Sequence, residues 1–417
     1  MAEKSYDVVV LGGGIVGVAT ALHLQQRGRS VALIERRPGV AQETSYGNAG
    51  IIERASIEPY MFPRNLATVL AYAFNRSLDA RYHLSALPAI APWLWRYFRA
   101  SAPDSAARIA RAALPLIERC LSEHEALMRA SDASHLLRKV GWIKLFRSDR
   151  ARREALEHAG VARDHGLGAN VLDAVALRAM EPSLRGVEGG VHYPDPGLIS
   201  DPEALGVAYA RHFVAKGGAL LHADARALEA ISGGFQLPGE SGLLRAGAAV
   251  VSLGAWSNDL LKPMGYAIPL GFKRGYHMHY GLQGGATLTR TVLDSEGGYC
   301  LAPMARGVRL TTGVEFGRRD APPTPVQLNQ CEPLARRILP LAERRDARPW
   351  MGVRPCLPDM LPVIGRAPRH KGLWLNFGHQ HHGLTLAAVT GRLLAEMMTG
   401  EAPFTDPSPY AVSRFGL

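Results

Sequence analysis

Cysteine is scarce in this chain. It has four, Cys120, Cys300, Cys331 and Cys356, and no two form a C-x-x-C pair. That scatter speaks against a disulfide framework and carries no zinc or iron–sulfur signature. It fits a reducing compartment. Long apolar runs are also missing: none approaches the ~18 residues of a membrane-crossing helix. The first apolar run, "VVVLGGGIVGVATALHL", follows an acidic "EKSYD" rather than a basic segment, and its glycines fall in a spaced pattern. It reads as structure rather than as a secretory leader, which implies a cytoplasmic protein. Lysine is a third shortage, with seven in a Lys+Arg total of 48, so arginine carries most of the net charge of +11. The basic residues are dispersed and match no nucleic-acid motif, so DNA and RNA are not expected as partners. Anionic membranes and acidic partners stay open.

What is present describes an ordinary globular protein, 47% hydrophobic and 20% charged. Its 417 residues suggest two domains. The N-terminal "YDVVVLGGGIVGVATALHLQQRGRSVALIERR" predicts strand, tight turn, helix and strand. Gly12, Gly14 and Gly17 make G-x-G-x-x-G, with Ile15 and Val16 opening the helix. The glycines turn tightly, admit a pyrophosphate and pack helix on strand. The helix N-terminus favours the phosphate charge. Glu35, about 20 residues on, is placed to bind a ribose hydroxyl and argues against a 2′-phosphate; Arg36 follows it. The bland reading is a coincidental glycine-rich turn, but strand, helix, strand and acid occur in the required order.

Next comes "GVAQETSYGNAGII", with Thr44 and Ser45 before the small-residue run Gly47, Asn48, Ala49, Gly50. An NAD enzyme has no need of such a run here. The stretch from Glu58 to Ala130 looks helical and aromatic. Asp201-Pro202 suits a helix start. "GGALLHADARALEAI" predicts a strand with Ala225 beside the nucleotide, and "AAVVSLGAWSNDLL" a buried strand ending in a turn at Gly254 and Trp256. "LGFKRGYHMHYGL" and "GGYCLAPMARGVRLTTGVEF" alternate like strands, the second turning at Arg306-Gly307. Alternation puts Gly275, His277 and His279 on one face and Tyr276, Met278 and Tyr280 on the other. Finally "GLWLNF" predicts a strand, "GHQHHG" its loop and "LTLAAVTGRLLAEMM" a helix.

Taken together, "GGGIVGVATALHLQQRG", "ETSYGNAG", "SLGAWS", "GVRP..PD.LPVIG" and "GHQHHGLTLA" resemble the D-amino-acid dehydrogenase family, within the glycine oxidase, sarcosine oxidase and D-amino-acid oxidase superfamily. The resemblance spans almost the whole chain. It implies an α/β fold: a Rossmann-type FAD-binding domain with an interleaved α+β substrate domain built on an antiparallel sheet. The expected pieces are 1–57, 196–262 and 348–417 for FAD, and 58–195 and 263–347 for substrate. FAD would be bound noncovalently by the residues named above, Gly12 to Gly50 with Ala225, Gly254 and Trp256. The amides of Gly383, Leu384 and Thr385 would face the flavin pyrimidine edge and steady negative charge there.

The implied activity is dehydrogenation of a D-amino acid or a cyclic imino acid such as D-proline, with electrons passed to a quinone or the respiratory chain. Alternatives are an oxidase releasing hydrogen peroxide, a 2-hydroxy-acid dehydrogenase, and a flavoprotein subunit that needs partner chains. The resemblance assigns Arg354 to the substrate carboxylate, because a guanidinium fork matches a carboxylate bidentately. It offers Tyr299 as a carboxylate-binding tyrosine. Tyr276 and His277 are candidates from the strand, depending on which face meets the flavin. Of His379, His381 and His382, a metal cluster lacks further ligands in register. A structural role competes with His381 or His382 bordering substrate and taking an amine proton. In the sarcosine-oxidase branch a lysine beside the flavin promotes reaction with dioxygen. The matching position here is Thr311, and Lys273 is expected at the solvent end of its strand. The segment "PWLWRYF", Pro92 to Phe98, suits a peripheral contact with the inner face of the membrane, against the plainer reading of a buried helix.

Overall fold

The computed structural model describes residues 4–55, 60–240 and 242–417, with the backbone alone at 67. The expected start of the helical stretch at Glu58, and the expected domain edge between 57 and 58, lie outside the described residues. Two large sheets organise the chain. The first has eight strands. Lys4–Leu11 lies at its centre, parallel to Val31–Glu35 on one side and to Gly242–Val251 on the other. Ala219–His222 extends the first edge, and Leu373–Phe377 pairs in parallel with Ala249–Val251. These parallel strands are buried on both faces, so they read as apolar runs such as "VVVL" and "VALI" rather than as alternation.

Four helices cover one face: Ile15–Gln26, Pro103–Ala130, Pro202–Ala215 and Gly383–Thr399. Gly391 lets the last of these approach the first, since a Cβ there would stand 3.0 Å from the Thr20 amide. Asp201 caps Pro202–Ala215 by accepting from the Ala204 amide at 3.0 Å.

The second sheet has eleven strands around the long Gly271–Leu282. Tyr276, Met278 and Tyr280 point into a core shared with the helix Val326–Ile338. The alternation expected for this strand is therefore present. Two pairings in this sheet run parallel, contrary to the all-antiparallel expectation: Thr291–Asp294 with Trp142–Phe146, and Val314–Phe316 with Ala80–Tyr82. Each joins segments far apart in sequence, so no hairpin dictates direction. Ala80–Tyr82 also interrupts the stretch expected to be helical. Trp350–Cys356 belongs to this second sheet, antiparallel to Gly271–Leu282, beyond the edge expected at 347. A small third sheet joins Ile51–Ile52, Gly197–Ile199 and Leu137–Arg138. All four cysteines are free, and no helix among the described residues is long and apolar enough to cross a membrane.

Candidate active site

A cleft runs between the two large sheets. At one end it is lined by Gly12, Gly14, Ile15, Val16, Glu35 and Arg36. Gly12 has φ +106°, and a Cβ there would lie 2.6 Å from the Ser252 carbonyl oxygen, so only glycine fits the turn. Gly17 does not line the cleft; a Cβ on it would collide with the Gly12 carbonyl, so it serves the packing of helix on strand. Gly14 caps the helix without a side chain, and the Ser45 hydroxyl accepts from the Ile15 amide at 3.1 Å. The helix N-terminus thus opens on the cleft, where an anion is favoured. The Glu35 carboxylate accepts from the amides of Gly13, Arg36 and Arg37, each at 2.8 Å. Those bonds fix it at the strand end, and a carboxylate retains capacity for a ribose hydroxyl. Ala225, Gly254 and Trp256 line the adjoining wall, with the Arg36 guanidinium 4.6 Å over the Trp256 ring. Thr44, Ser45, Asn48 and Ala49 continue the lining. The Thr44 hydroxyl donates to the Val353 carbonyl at 2.8 Å, tying this loop to the second sheet. Gly50 lies behind the lining at φ +75°, where a Cβ would strike the Ile199 carbonyl. An adenosine diphosphate moiety fits this donor set and the missing Cβ atoms.

At the other end the cleft is lined by His379, His381, His382, Gly383, Leu384 and Thr385. The first intrahelical bond runs from the Leu386 amide to His382, so the three preceding amides lie at the open helix end. The three histidines take different parts. His379 is buried and bonded to Thr390 at 3.0 Å, a structural role. His381 and His382 pack against each other with ring centres 3.9 Å apart. Burial pushes the His382 pKa down to about 4. His381 is held well below the ordinary histidine range by burial first, then by His382, Arg354 and Lys273. Both are neutral near pH 7, and His381 Nε2 is buried without a partner among the described residues. A neutral imidazole with a free nitrogen can accept a proton.

Arg354 also lines the cleft. Its guanidinium lies flat over Gly275, where a Cβ would come within 2.6 Å of it. It donates to the Gly313 carbonyl at 3.0 Å, and among the described residues it has no carboxylate partner. Thr311 lines the cleft, its hydroxyl unpaired among the described residues.

Of three further substrate-side candidates, two lie outside the cleft lining and one lines it with its hydroxyl engaged. Tyr299 is buried in the core of the second sheet, where burial and Asp294 hold its phenol protonated; it does not line the cleft. Alternation explains this, because the next residue, Cys300, is on the other face, within reach of Glu53. Tyr276 lines the cleft, but its hydroxyl is used up: it accepts from Arg274 at 2.9 Å and from the Thr324 amide at 2.8 Å, and donates to Glu315 at 2.9 Å. His277 is outside the lining, stacked on Trp350 with ring centres 4.7 Å apart. His277, His279 and Asp346 come close enough to suggest a metal site. However, His279 Nδ1 is bonded to Asp346 at 2.7 Å, and its Nε2 accepts from Arg309 at 3.0 Å. With both nitrogens engaged and a guanidinium alongside, the group is a hydrogen-bond chain.

Lys273 is not at a solvent end. It is buried, with Nζ 3.2 Å from the Tyr97 hydroxyl and 4.3 Å from that ring, and Trp93 and Phe316 each 5.8 Å away. Its strand position faces the helix Leu87–Ala100, which covers that end of the sheet. Two cleft residues escaped the sequence reading. Tyr60 stands edge-on to His381 at 4.6 Å. Glu53 follows the Ile51–Ile52 strand directly, and burial raises its carboxyl to about 7. The only available signal was an acid placed one residue beyond a strand that leads out of the "GNAG" run.

A glycine turn, an acidic strand end and a second helix N-terminus facing across one cleft make this a dinucleotide-dependent redox protein. The chain belongs to the family of FAD-dependent oxidoreductases, whose model matches residues 7–397, and FAD is its cofactor. It is 29% identical to the D-amino acid dehydrogenase of Chromohalobacter salexigens, over 98% of this chain and 99% of that one. It is 30% identical to the D-amino-acid oxidase of Bradyrhizobium diazoefficiens, over 98% of each. Its fold is similar to that of glycine oxidase from Geobacillus kaustophilus, with a TM-score of 0.74, 23% identity and 99% of each chain covered. No cysteine lines the cleft among the described residues. Precipitation with trichloroacetic acid should therefore leave the flavin in the supernatant; colour retained in the pellet would show a covalent link.

Proposed function

We propose that this enzyme dehydrogenates a D-amino acid or a cyclic imino acid such as D-proline, and passes the electrons to a quinone or the respiratory chain. The observation that carries the reading is Arg354: a guanidinium in the cleft that has no counter-ion among the described residues, in a lining shared with a neutral histidine whose Nε2 has no partner among them. A buried cation without a partner is costly, and a substrate carboxylate would supply that partner bidentately. Bound flavin supplies the hydride acceptor for the substrate Cα–H. The chain's own residues align that carbon and favour the neutral amine. His381 Nε2 is the proposed acceptor from the amine, a role supported by burial of the imidazole, which keeps it unprotonated. The identity of one relative as a dehydrogenase and of another as an oxidase leaves the acceptor to be argued from this chain.

The decisive screen is anaerobic flavin bleaching by D-amino acids, L-amino acids, N-methyl amines and imino acids. With the best substrate, Arg354→Ala should lose about 2–5 kcal/mol of transition-state stabilisation, the usual cost of breaking such a pair. Arg354→Lys should recover part. Unchanged kcat/KM in the Ala variant with flavin bound would remove Arg354 from the carboxylate site.

Dioxygen is proposed to be a poor acceptor. Thr311 is uncharged, His381 and His382 are neutral, and the Lys273 ammonium is turned into its aromatic cage rather than the cleft. Thr311→Lys should then speed reoxidation by air. Stopped-flow mixing of substrate-reduced enzyme with air-saturated buffer, beside a soluble quinone analogue, reads this directly. Wild-type reoxidation by air as fast as turnover would identify an oxidase.

The proposed contact with the inner membrane face rests on one patch. Leu66, Leu70, Phe74, Leu84 and Trp95 are all among the large apolar side chains exposed on the surface. Arg64 lies 4.6 Å over Phe98, and Arg76 5.5 Å over Phe74. Within "PWLWRYF", Trp93 and Tyr97 face inward and Trp95 faces out, so the helix serves the core and the surface together. Apolar groups beside arginines suit an anionic bilayer interface. The protein should float with anionic liposomes and lose that property with Phe74→Glu and Trp95→Glu together. A wild-type protein left at the bottom of the gradient would refute the contact.

A further inference from the structure

Arg309 is a buried guanidinium behind the cleft, 3% exposed and outside the lining. Among the described residues it has no carboxylate partner; Asp346 pairs with His279 and Arg306 instead. Its bonds go to neutral acceptors. Nε donates to His279 Nε2 at 3.0 Å, and Nη1 donates to the Tyr46 carbonyl at 3.0 Å and to the Asn48 carbonyl. A guanidinium has no lone pair to offer, so His279 Nε2 must be the acceptor and the ring proton lies on Nδ1. Asp346 holds it there, accepting from Nδ1 at 2.7 Å and from the His279 amide at 2.9 Å. Arg306 donates to the same carboxylate at 3.1 Å.

The two carbonyls that Arg309 grips decide where their peptides face. In a trans peptide the C=O of one residue and the N–H of the next point in opposite directions, and no described peptide is cis. With the Tyr46 and Asn48 carbonyls turned to Arg309, the Gly47 and Ala49 amides point away from it. Both residues line the cleft, and neither amide has a hydrogen-bond partner among the described residues. The amides between and beside them are engaged. Tyr46 donates to the Glu43 carbonyl at 3.1 Å, Asn48 to the Ser45 carbonyl at 3.4 Å, and Gly50 to the Asn48 side chain at 2.8 Å. Alternate amides of one loop are thus bonded within it, and the two that line the cleft are free. Backbone N–H groups left without an acceptor are rare. FAD carries suitable acceptor oxygens on its pyrophosphate and on its flavin ring.

We propose that Arg309, oriented by His279, is a positioning residue for the cofactor: it holds two loop peptides so that the Gly47 and Ala49 amides donate to acceptor oxygens of bound FAD. His279 and Arg309 are directly opposite on paired strands. The guanidinium fork is needed because one flat group must reach that strand partner and two loop carbonyls together. The inference does not rest on Arg354 or on the identity of the substrate.

The test is cofactor affinity, read without turnover. Flavin is stripped from the protein, a thermal melt of the apoprotein checks its fold, and FAD and ADP are titrated back by calorimetry. Arg309→Lys keeps the charge and loses the fork. It should bind FAD about tenfold or more weakly, the scale of a lost charge-assisted bond. A parallel fall in ADP affinity would assign the amides to the pyrophosphate; unchanged ADP affinity would assign them to the flavin ring. His279 separates orientation from bulk. Glutamine puts its side-chain oxygen close to the place of Nε2, whereas asparagine reaches only the place of Nδ1. His279→Gln should therefore keep most of the wild-type affinity, and His279→Asn should resemble Arg309→Lys. Unchanged FAD affinity in an Arg309→Lys apoprotein that melts like wild type overturns the inference. If Arg309→Lys does not fold, the histidine pair decides: equal effects of Gln and Asn overturn the inference, and a loss confined to Asn sustains it. In the wild type, the amide proton signals of Gly47 and Ala49 should move downfield when FAD binds, and signals that stay in place overturn it as well.

Discussion

The register between Gly271–Leu282 and Trp350–Cys356 is the constraint on which the site depends. It places Arg354 opposite Lys273 and Gly352 opposite Gly275. Because Gly275 has no Cβ, the Arg354 guanidinium can lie down on the sheet and face the cleft. Because Gly352 and Gly47 have none, the Trp350 indole fits between the sheet and the "YGNAG" loop. A shift of one residue would send Arg354 into the opposite face, with Tyr276 and Met278. The same strand then secures the loop electrostatically. Asp346 orients His279, His279 accepts from Arg309, and Arg309 donates to the carbonyls of Tyr46 and Asn48. The cofactor-binding loop and the substrate sheet are thus held by one continuous set of contacts.

That arrangement leaves charge uncompensated where it matters. Arg354 and Lys273 are cross-strand neighbours of like sign, and burial pushes both pKa values down. They are separated by direction. The ammonium is stabilised by the Trp93, Tyr97 and Phe316 rings, a cation–π arrangement. The guanidinium has only backbone carbonyls. Contrast Arg274, fully buried on the opposite face, which has Glu315 at 2.9 Å and three carbonyls besides. Among the described residues, one arginine has a carboxylate partner and the other, which lines the cleft, has none.

The nucleotide half of the cleft was legible because its rules are local. Strand, glycine turn, helix and acid follow one another within 35 residues, and each glycine has a backbone reason that survives without tertiary context. The histidine loop was legible for the same reason, being a strand–loop–helix whose N-terminus must point somewhere. The substrate half was not. Tyr299 and Cys300 are neighbours in sequence, and only the pairing of their strand decides which faces the cleft. Lys273 looked terminal because the helix that covers it, Leu87–Ala100, is nearly two hundred residues away in sequence. Glu53 could not be recognised as a buried acid of the cleft until the elements around it had been placed. Burial and charge compensation are properties of the assembled molecule, and periodicity along the chain does not carry them.

The two ends of the cleft therefore differ in kind. At the nucleotide end, selectivity comes from backbone: amides, helix ends and absent Cβ atoms, which tolerate little substitution. At the other end the cleft is lined by side chains, among them Arg354, His381 and Glu53. A side chain at Gly12 should break the turn that opens the nucleotide end, since its Cβ would meet the Ser252 carbonyl. The relatives it matches over nearly the whole chain differ in the names of their reactions, as one fold can host several chemistries.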